Sequence, residues 1–162
     1  MKEIIVKTTV KVYSVAELSE EFKELAQAAL SASTTAYAPY SKFHVGAAVR
    51  LESGVIITGN NQENAAYPSG LCAERVALFY AGATYPGVAV RAIAIAAQTG
   101  GRQVDMITPC GACRQVLLET ESRYGGHPMD VLLCGTEQVY IISGAASLLP
   151  LSFSGSDLGV TD

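Results

Sequence analysis

The chain has 162 residues, of which 49% are apolar and 16% charged, and its net charge is −4. This length suits about one domain, and this composition excludes a disordered chain. The acidic balance argues against nucleic-acid binding as the main role, because phosphate binding needs a basic stripe. No apolar run approaches the ~18 residues of a membrane span, and Met1-Lys2-Glu3 does not resemble a signal peptide. We therefore expect a cytoplasmic protein that binds neither nucleic acid nor membrane.

The first half of the chain shows one helix, a hairpin and a second helix. Residues 1–13 alternate enough to predict an extended N-terminal arm, ahead of a single domain at 14–162. A capping-box pattern at Ser14–Glu17 precedes apolar residues at helical spacing, which predicts a helix over 15–32. Strands are predicted at 43–51 and 55–58, with a turn at 52–54 between them. A polar loop at 59–70 leads to a helix predicted over 72–81.

The second half alternates strands and helices. We predict a buried strand at 88–97, a loop at 100–109 and a helix over 110–124 that ends at Gly125-Gly126. Short strands follow at 131–134 and 139–142, with a last helical turn near 145–149. This order is typical of an α/β protein. We expect one central sheet covered by helices on both faces.

The chain contains four cysteines, and the sequence allows several uses for them. They are Cys72, Cys110, Cys113 and Cys134. Disulfides are disfavoured, because cytosolic thiols are usually kept reduced. Metal ligands, a redox pair at Cys110 and Cys113, and buried apolar thiols remain as alternatives. Cys134 lies on a predicted strand among leucines, so we expect it to be part of the core.

The other three cysteines lie at predicted helix starts, where the helix dipole lowers the pKa of a thiol. Cys110 and Cys113 are three residues apart and share a helix face, so both could bind one ion. With Cys72 they give zinc three protein ligands and leave the fourth position open, as in a catalytic site. A structural zinc site would need a fourth protein ligand. The remaining candidates for that ligand are His44, His127 and Cys134.

Glu74 follows Cys72 by two residues. Alone, a carboxylate in a first helical turn only complements the helix dipole. Beside an open zinc site it becomes a candidate proton shuttle, because water activation needs a base that is not itself a ligand. Together with Pro109-Cys110-x-x-Cys113, the spacing matches the pattern of zinc deaminases. Either Arg75 or Arg114 could offset the thiolate charge by hydrogen bonding to sulfur.

Three blocks of the sequence carry a family resemblance, PYSKFHVGAA at 39–48, GNNQENAAYPSGLCAER at 59–75 and PCGACRQV at 109–116, with a weaker block, LLPLSF, at 148–153. They closely resemble the small, homotetrameric class of cytidine deaminases. The resemblance spans roughly residues 15–160. It implies a three-layer sandwich in which helices cover both faces of a mixed five-stranded sheet. It also implies a hydrolase of cyclic amidine C–N bonds that converts cytidine and deoxycytidine to uridine and deoxyuridine in pyrimidine salvage, with release of ammonia.

The resemblance also assigns the residues of the reaction centre. Cys72, Cys110 and Cys113 would bind one zinc ion per subunit, and Glu74 would be the catalytic proton shuttle. Arg75 would hydrogen-bond the zinc thiolates.

Six further residues would contact the substrate. Asn61 and Glu63 would bond the ribose 3′-hydroxyl, which suits an amide and a carboxylate as donor and acceptor. Phe43 would pack on the nucleoside, and Ala73 would offer backbone groups to the base. Tyr67 and Phe153 would line a neighbouring subunit's pocket, so the resemblance implies a homotetramer with shared pockets.

Other functions remain open at this point. A deaminase of the same fold could act on another aminopyrimidine nucleoside, such as a nucleoside antibiotic. Action on polynucleotide cytosine is disfavoured, because the 3′-hydroxyl that Asn61 and Glu63 would bind is esterified in a polymer. A structural zinc module lacks a fourth ligand at suitable spacing. A thiol redox protein leaves Cys72 and Glu74 unexplained. The sequence leaves open the preference between cytidine and deoxycytidine and the role of residues 1–13.

Overall fold

The computed structural model describes residues 1–125 and 127–159, which form a single mixed sheet with helices on both faces. Three helices occur within these residues, α1 at Glu20–Ser33, α2 at Ala73–Thr84 and α3 at Gly111–Ser122. The seven strands are β1 Lys11–Ser14, β2 Phe43–Leu51, β3 Ile56–Asn60, β4 Val90–Thr99, β5 Arg102–Gln103, β6 Asp130–Cys134 and β7 Gln138–Ser143. The predicted helix end at Gly126 and the last three residues of the predicted domain lie outside the described residues.

The strand order is β1-β7-β6-β4-β2-β3, and β5 pairs with β4 off this path. Strands β4 and β6 are parallel, and the other described pairs are antiparallel. A parallel pair needs a crossover connection, which α3 provides between β4 and β6. The predicted mixed sheet is therefore confirmed.

The helices form two layers around the sheet. On one face, α1 buries Leu25 and Ala29 in a cluster with small strand residues such as Ala94. On the other face, α2 and α3 pack in a second cluster that includes Ala77 and Leu117. The predicted three-layer sandwich is confirmed. No helix within the described residues is both long enough and apolar enough to span a bilayer.

The predicted number of five strands is wrong, because the described residues contain seven. Strand β1 comes from the predicted arm and pairs with β7, with Lys11 opposite Ile141. Strand β5 lies in the predicted loop and folds back on β4 through Gly100-Gly101. Both glycines have positive φ, 57° and 75°, which a tight two-residue hairpin turn requires. The Gly-Gly pair was the sequence signal for this extra hairpin.

The predicted helix over 15–32 is divided in two. The capping box at Ser14 caps a single 3₁₀ turn at Val15–Glu17. The chain then extends through Leu18 and Ser19, and the Ser19 hydroxyl accepts a hydrogen bond from the Phe22 N–H at 3.3 Å. Ser19 thus begins α1 as a second N-cap, and the acidic pair Glu20-Glu21 behind it was the signal for this start.

Candidate zinc and substrate site

Two helix N-termini bring three cysteines together on the α2–α3 side of the sheet. Cys72 is the N-cap of α2, Cys110 is the N-cap of α3, and Cys113 lies in the first turn of α3. Their sulfur atoms all lie within 4.8 Å of one another, and the Sγ atoms of Cys72 and Cys110 are 3.8 Å apart. The positive ends of both helix dipoles favour negative charge at this point. The structure thus assembles the predicted set of three.

The surroundings of the cluster favour a thiolate. The pKa of Cys72 is lowered to about 5, first by a hydrogen bond from the Cys113 thiol and then by Arg75. The pKa of Cys113 is raised, because its proton is held by Cys72. Arg75 donates from Nη2 to the Cys72 sulfur at 3.5 Å. Thiolates are the form in which cysteines bind metals.

The two candidate arginines have different partners. Arg75 contacts the thiol cluster, whereas Arg114 donates from Nε to the Pro109 carbonyl at 2.9 Å. Arg114 also donates from Nη1 to the Leu148 carbonyl at 3.1 Å. Of the two, Arg75 is therefore the one that offsets the thiolate charge.

The donor set fits zinc. Zinc favours sulfur ligands in tetrahedral geometry, and the cluster provides three. Among the described residues, no fourth His, Cys, Asp or Glu joins the group. A site closed by four protein ligands is therefore not formed here, which disfavours a purely structural zinc module.

Glu74 lies in the first turn of α2, beside the cluster. The residue is only 4% exposed. Burial raises the pKa of its carboxyl group, and the negative charge of Cys72 raises it further. A carboxyl group with a raised pKa in a cleft suits proton transfer near neutral pH. Its role as a proton shuttle stays a prediction.

A cleft of about 680 Å³ opens beside the cysteines. This volume is within the range of small-molecule sites. Tyr67 meets Tyr40 edge to face, with ring centroids 6.1 Å apart. The predicted substrate residues that line the cleft are Phe43, Asn61, Glu63, Tyr67 and Ala73.

Asn61 and Glu63 are fixed by backbone groups at the start of β2. Asn61 accepts from the Val45 N–H at 2.8 Å and donates to the Phe43 carbonyl at 2.9 Å. One oxygen of Glu63 accepts from the N–H groups of Tyr40 and Ser41, at 2.9 and 3.2 Å. A carboxylate has a second oxygen and an amide a second N–H, so each side chain keeps capacity for a ligand.

Phe153 is not brought into the cleft of its own chain. Its side chain is absent from the lining, and the residue is 59% exposed. Its carbonyl accepts a hydrogen bond from Gln115 Nε2 at 2.8 Å. The structure thus separates Phe153 from the other predicted substrate residues.

The residues weighed as a fourth ligand lie elsewhere. Cys134 is buried, as predicted, and burial raises the pKa of its thiol to about 12. His127 is exposed on a loop. His44 alternates with Phe43 and Val45 on β2, and those two residues line the cleft while His44 does not.

Sequence reasoning missed part of the cleft wall. Val45 and Ile107 add apolar surface to it. Val45 lies two residues after Phe43 on the same strand face, so the period of two could have identified it. Ile107 precedes Pro109 in a predicted loop and carried no comparable signal.

Comparisons with known proteins identify a family for this chain. Residues 19–124 match the family model described as the cytidine and deoxycytidylate deaminase zinc-binding region. A cytidine deaminase of Sporosarcina psychrophila is 44% identical over 124 residues, which cover 76% of this chain and 84% of that protein. A probable cytidine deaminase of Dictyostelium discoideum is 36% identical and is covered to 88%.

A solved structure gives the same result for the fold. The crystal structure of a Burkholderia pseudomallei cytidine deaminase superposes with a TM-score of 0.67 at 40% identity, and covers 84% of this chain and 100% of that one. The chain belongs to the cytidine and deoxycytidylate deaminase family with its zinc-binding region.

Proposed function

We propose that the chain catalyses zinc-dependent hydrolytic deamination of cytidine and deoxycytidine to uridine and deoxyuridine, with release of ammonia. One observation carries the proposal: three clustered cysteine sulfurs and the buried Glu74 meet at a cleft of nucleoside size. The relatives named as cytidine deaminases support the choice of substrate. Such a reaction serves pyrimidine salvage.

In this mechanism Cys72, Cys110 and Cys113 hold the zinc ion. When bound, zinc supplies Lewis acidity, which lowers the pKa of water towards ~7. Glu74 accepts the proton of the attacking water and delivers it to N3 of the pyrimidine. Glu74 then takes the proton of the hydroxyl group now bound to C4 and passes it to the exocyclic amine, so the C4–N bond breaks, the C4 carbonyl forms and ammonia leaves. Arg75 offsets part of the negative charge of the thiolates, which weakens their repulsion of ionised Glu74.

The cleft walls orient the nucleoside. Asn61 and Glu63 bind the ribose 3′-hydroxyl. Asn61 uses its second amide hydrogen and Glu63 its second carboxylate oxygen, which make no bond to the backbone. Phe43 packs on the nucleoside, and its position depends on Asn61, which bonds its carbonyl. Ala73, at the first position of α2, offers its backbone to the base.

We further propose a homotetramer in which neighbouring subunits complete each other's clefts. Phe153 is exposed and lies outside its own cleft, and Tyr67 is exposed at the cleft rim. Phe79 and Tyr80 add exposed aromatic surface on α2, which a partner subunit would cover. Within each subunit, residues 14–162 form the catalytic domain, and residues 1–13 form an N-terminal arm whose last residues join the sheet of that domain as part of β1. The thiol ligands suit the reducing cytoplasm.

Glu74→Gln tests this function. The amide keeps the size of the side chain but cannot accept and release the proton, so turnover of cytidine should fall by several orders of magnitude. Zinc content should stay at one ion per chain. The assay follows the loss of absorbance at the cytidine band, with cytidine, deoxycytidine and cytosine as substrates, before and after a strong chelator.

Glu119→Gln is the matched control, because Glu119 is exposed on α3 away from the cleft. This variant should retain wild-type turnover. A Glu74→Gln enzyme within tenfold of wild type would contradict the assignment of the proton shuttle.

A further inference from the structure

Helix α3 holds the chain that leads to Phe153. We call residues 144–153 the C-terminal segment. Arg114 donates to the Leu148 carbonyl at 3.1 Å, and Gln115 donates to the Phe153 carbonyl at 2.8 Å. The next turn of the chain upstream carries Cys110 and Cys113. The helix that presents two metal ligands is therefore bonded directly to the segment.

Gln115 is the polar anchor of the last part of this segment. Within residues 1–125 and 127–159, the hydrogen bond from Gln115 is the only one that joins residues 150–154 to a residue before 145. Residues 149–154 have no helix or strand to hold them. The position of this stretch therefore depends on one side-chain amide.

The two large apolar side chains Leu151 and Phe153 in this stretch are exposed. Leu151 is 89% exposed and Phe153 is 59% exposed. Gln115 bonds the carbonyl of Phe153 itself, and that carbonyl is attached to the Cα from which the ring extends. The backbone is therefore anchored while the ring is free to contact another molecule.

We propose that Gln115 is a positioning residue for Phe153. Its hydrogen bond holds the Phe153 backbone where the ring can enter the cleft of a neighbouring subunit. This inference rests on the proposed shared cleft. Gln115 does not line the cleft of its own chain, so it acts through Phe153 rather than on the nucleoside. Each subunit's metal-binding helix would thus set the substrate affinity of its neighbour's site.

Gln115→Glu removes the donor at constant size and places a carboxylate oxygen against the Phe153 carbonyl. A lost hydrogen bond of ordinary strength corresponds to a rise in KM for cytidine of about five- to tenfold. The kcat should change less than twofold and zinc should stay at one per chain, because Glu74 and the cysteines are untouched. Gln115→Ala, which adds no charge, gives the same readout if the glutamate variant folds poorly.

Gln103→Glu is the matched control. Gln103 also donates from Nε2 to backbone carbonyls, those of Cys134 and Gly135 at 3.3 and 3.0 Å. It lies on β5 and does not line the cleft. Gln103→Glu should lower the free energy of unfolding about as much as Gln115→Glu does, but leave the KM for cytidine unchanged. A rise in KM for Gln115→Glu alone therefore reports the positioning of Phe153 and not general destabilisation.

Mixed assemblies test whether the effect crosses between subunits. Glu74→Gln chains and Gln115→Glu chains are co-expressed with different tags, and assemblies that carry both tags are isolated. The active clefts belong to the Gln115→Glu chains. Some of these clefts receive Phe153 from a Glu74→Gln neighbour, in which Gln115 still bonds the Phe153 carbonyl. A fraction of these sites should therefore recover the wild-type KM.

The possible failures are distinguishable. A wild-type chain without cytidine turnover would overturn the proposed function itself. With an active wild type, an unchanged KM in Gln115→Glu would overturn the role of Gln115. A raised KM that does not recover in mixed assemblies would show that Phe153 acts within its own chain, and would overturn the contact between subunits.

Discussion

Burial has different consequences for Cys113 and Cys134, although both side chains are inaccessible. Cys134 packs in the α1-side cluster among apolar residues, and its thiol stays protonated. Cys113 lies within 4.8 Å of two further sulfurs at the start of α3. The same residue type is therefore core material on one face of the sheet and a candidate ligand on the other.

Replacing each of these cysteines with alanine separates the two uses. Cys134→Ala removes one buried sulfur and should cost on the order of 1 kcal/mol in the free energy of unfolding. Cys113→Ala should cost more, because it also loses the stabilisation from bound zinc. Cys134→Ala should retain one zinc per chain and full turnover, whereas Cys113→Ala should lose zinc and activity. Elemental analysis of the purified variants measures this. Stoichiometric zinc in Cys113→Ala, or its loss in Cys134→Ala, would refute the ligand set.

At the scale of single residues, the pairing of Cys110 with Cys113 was predictable because i, i+3 spacing fixes geometry locally. Cys72 caps another helix, and it was added by the sequence pattern of zinc deaminases. The backbone contacts of Asn61 and Glu63 were not predictable. They join a loop to the start of β2, and such contacts depend on how the loop folds over the sheet. The resemblance favoured Arg75 over Arg114, and the structure separates the two by their contacts. Arg75 bonds the Cys72 sulfur, whereas Arg114 bonds the Pro109 and Leu148 carbonyls.

Among the elements, α1 and β2 approach closely at Gly46. A Cβ atom added there would overlap the Ala29 carbonyl oxygen and lie 2.5 Å from the Ser33 amide nitrogen. Both are backbone atoms of α1, which cannot rotate away as a side chain would. Glycine at this position allows the helix to lie directly on the strand that carries Phe43.

Gly46→Ala should therefore destabilise the fold by at least about 2–3 kcal/mol, at the upper end of the overpacking range. The urea midpoint of unfolding measures the loss. Gly111→Ala is the control, because a Cβ there meets nothing within 4 Å. Equal midpoints for the two variants would show that α1 moves away from the sheet at little cost.

The predictions of helix and strand bounds were wrong where the sequence supported two alternatives. Ser14 and Ser19 are both valid N-caps, and the sequence alone does not show that Leu18 leaves the helix to enter the core. The pattern at 11–14 suits a free arm as well as an edge strand, and the choice depends on β7, which lies far along the chain. Helix α2 was predicted over 72–81, whereas it runs from Ala73 to Thr84, because Gly82 does not end it.

For the whole molecule, the described N-terminus combines an exposed stretch with an edge strand. Residues 1–10 have no regular structure, and Thr8 bonds the Ser147 carbonyl at 2.8 Å. Strand β1 then covers the edge of β7, whose Val139 and Ile141 are buried. An uncovered strand edge promotes association between sheets.

Two truncations should therefore behave differently. A chain without residues 2–10 should keep wild-type turnover and lose about 1 kcal/mol or less, the worth of one exposed hydrogen bond. A chain without residues 2–13 exposes the β7 edge and should aggregate at lower temperature. Light scattering during thermal unfolding distinguishes them. Identical aggregation temperatures would show that β1 does not protect the sheet.

The pairing of β1 with β7 also has a consequence for folding during synthesis. Strands β2, β3 and β4 are neighbours in the sheet and follow one another along the chain, so they can assemble early. Strand β1 is made before them, yet its partner emerges from the ribosome only after residues up to 143. Long-range pairing of this kind is slow to form. Among the described strands, β1 is therefore made before the others but pairs last, and it stays unpaired until β7 has been synthesised.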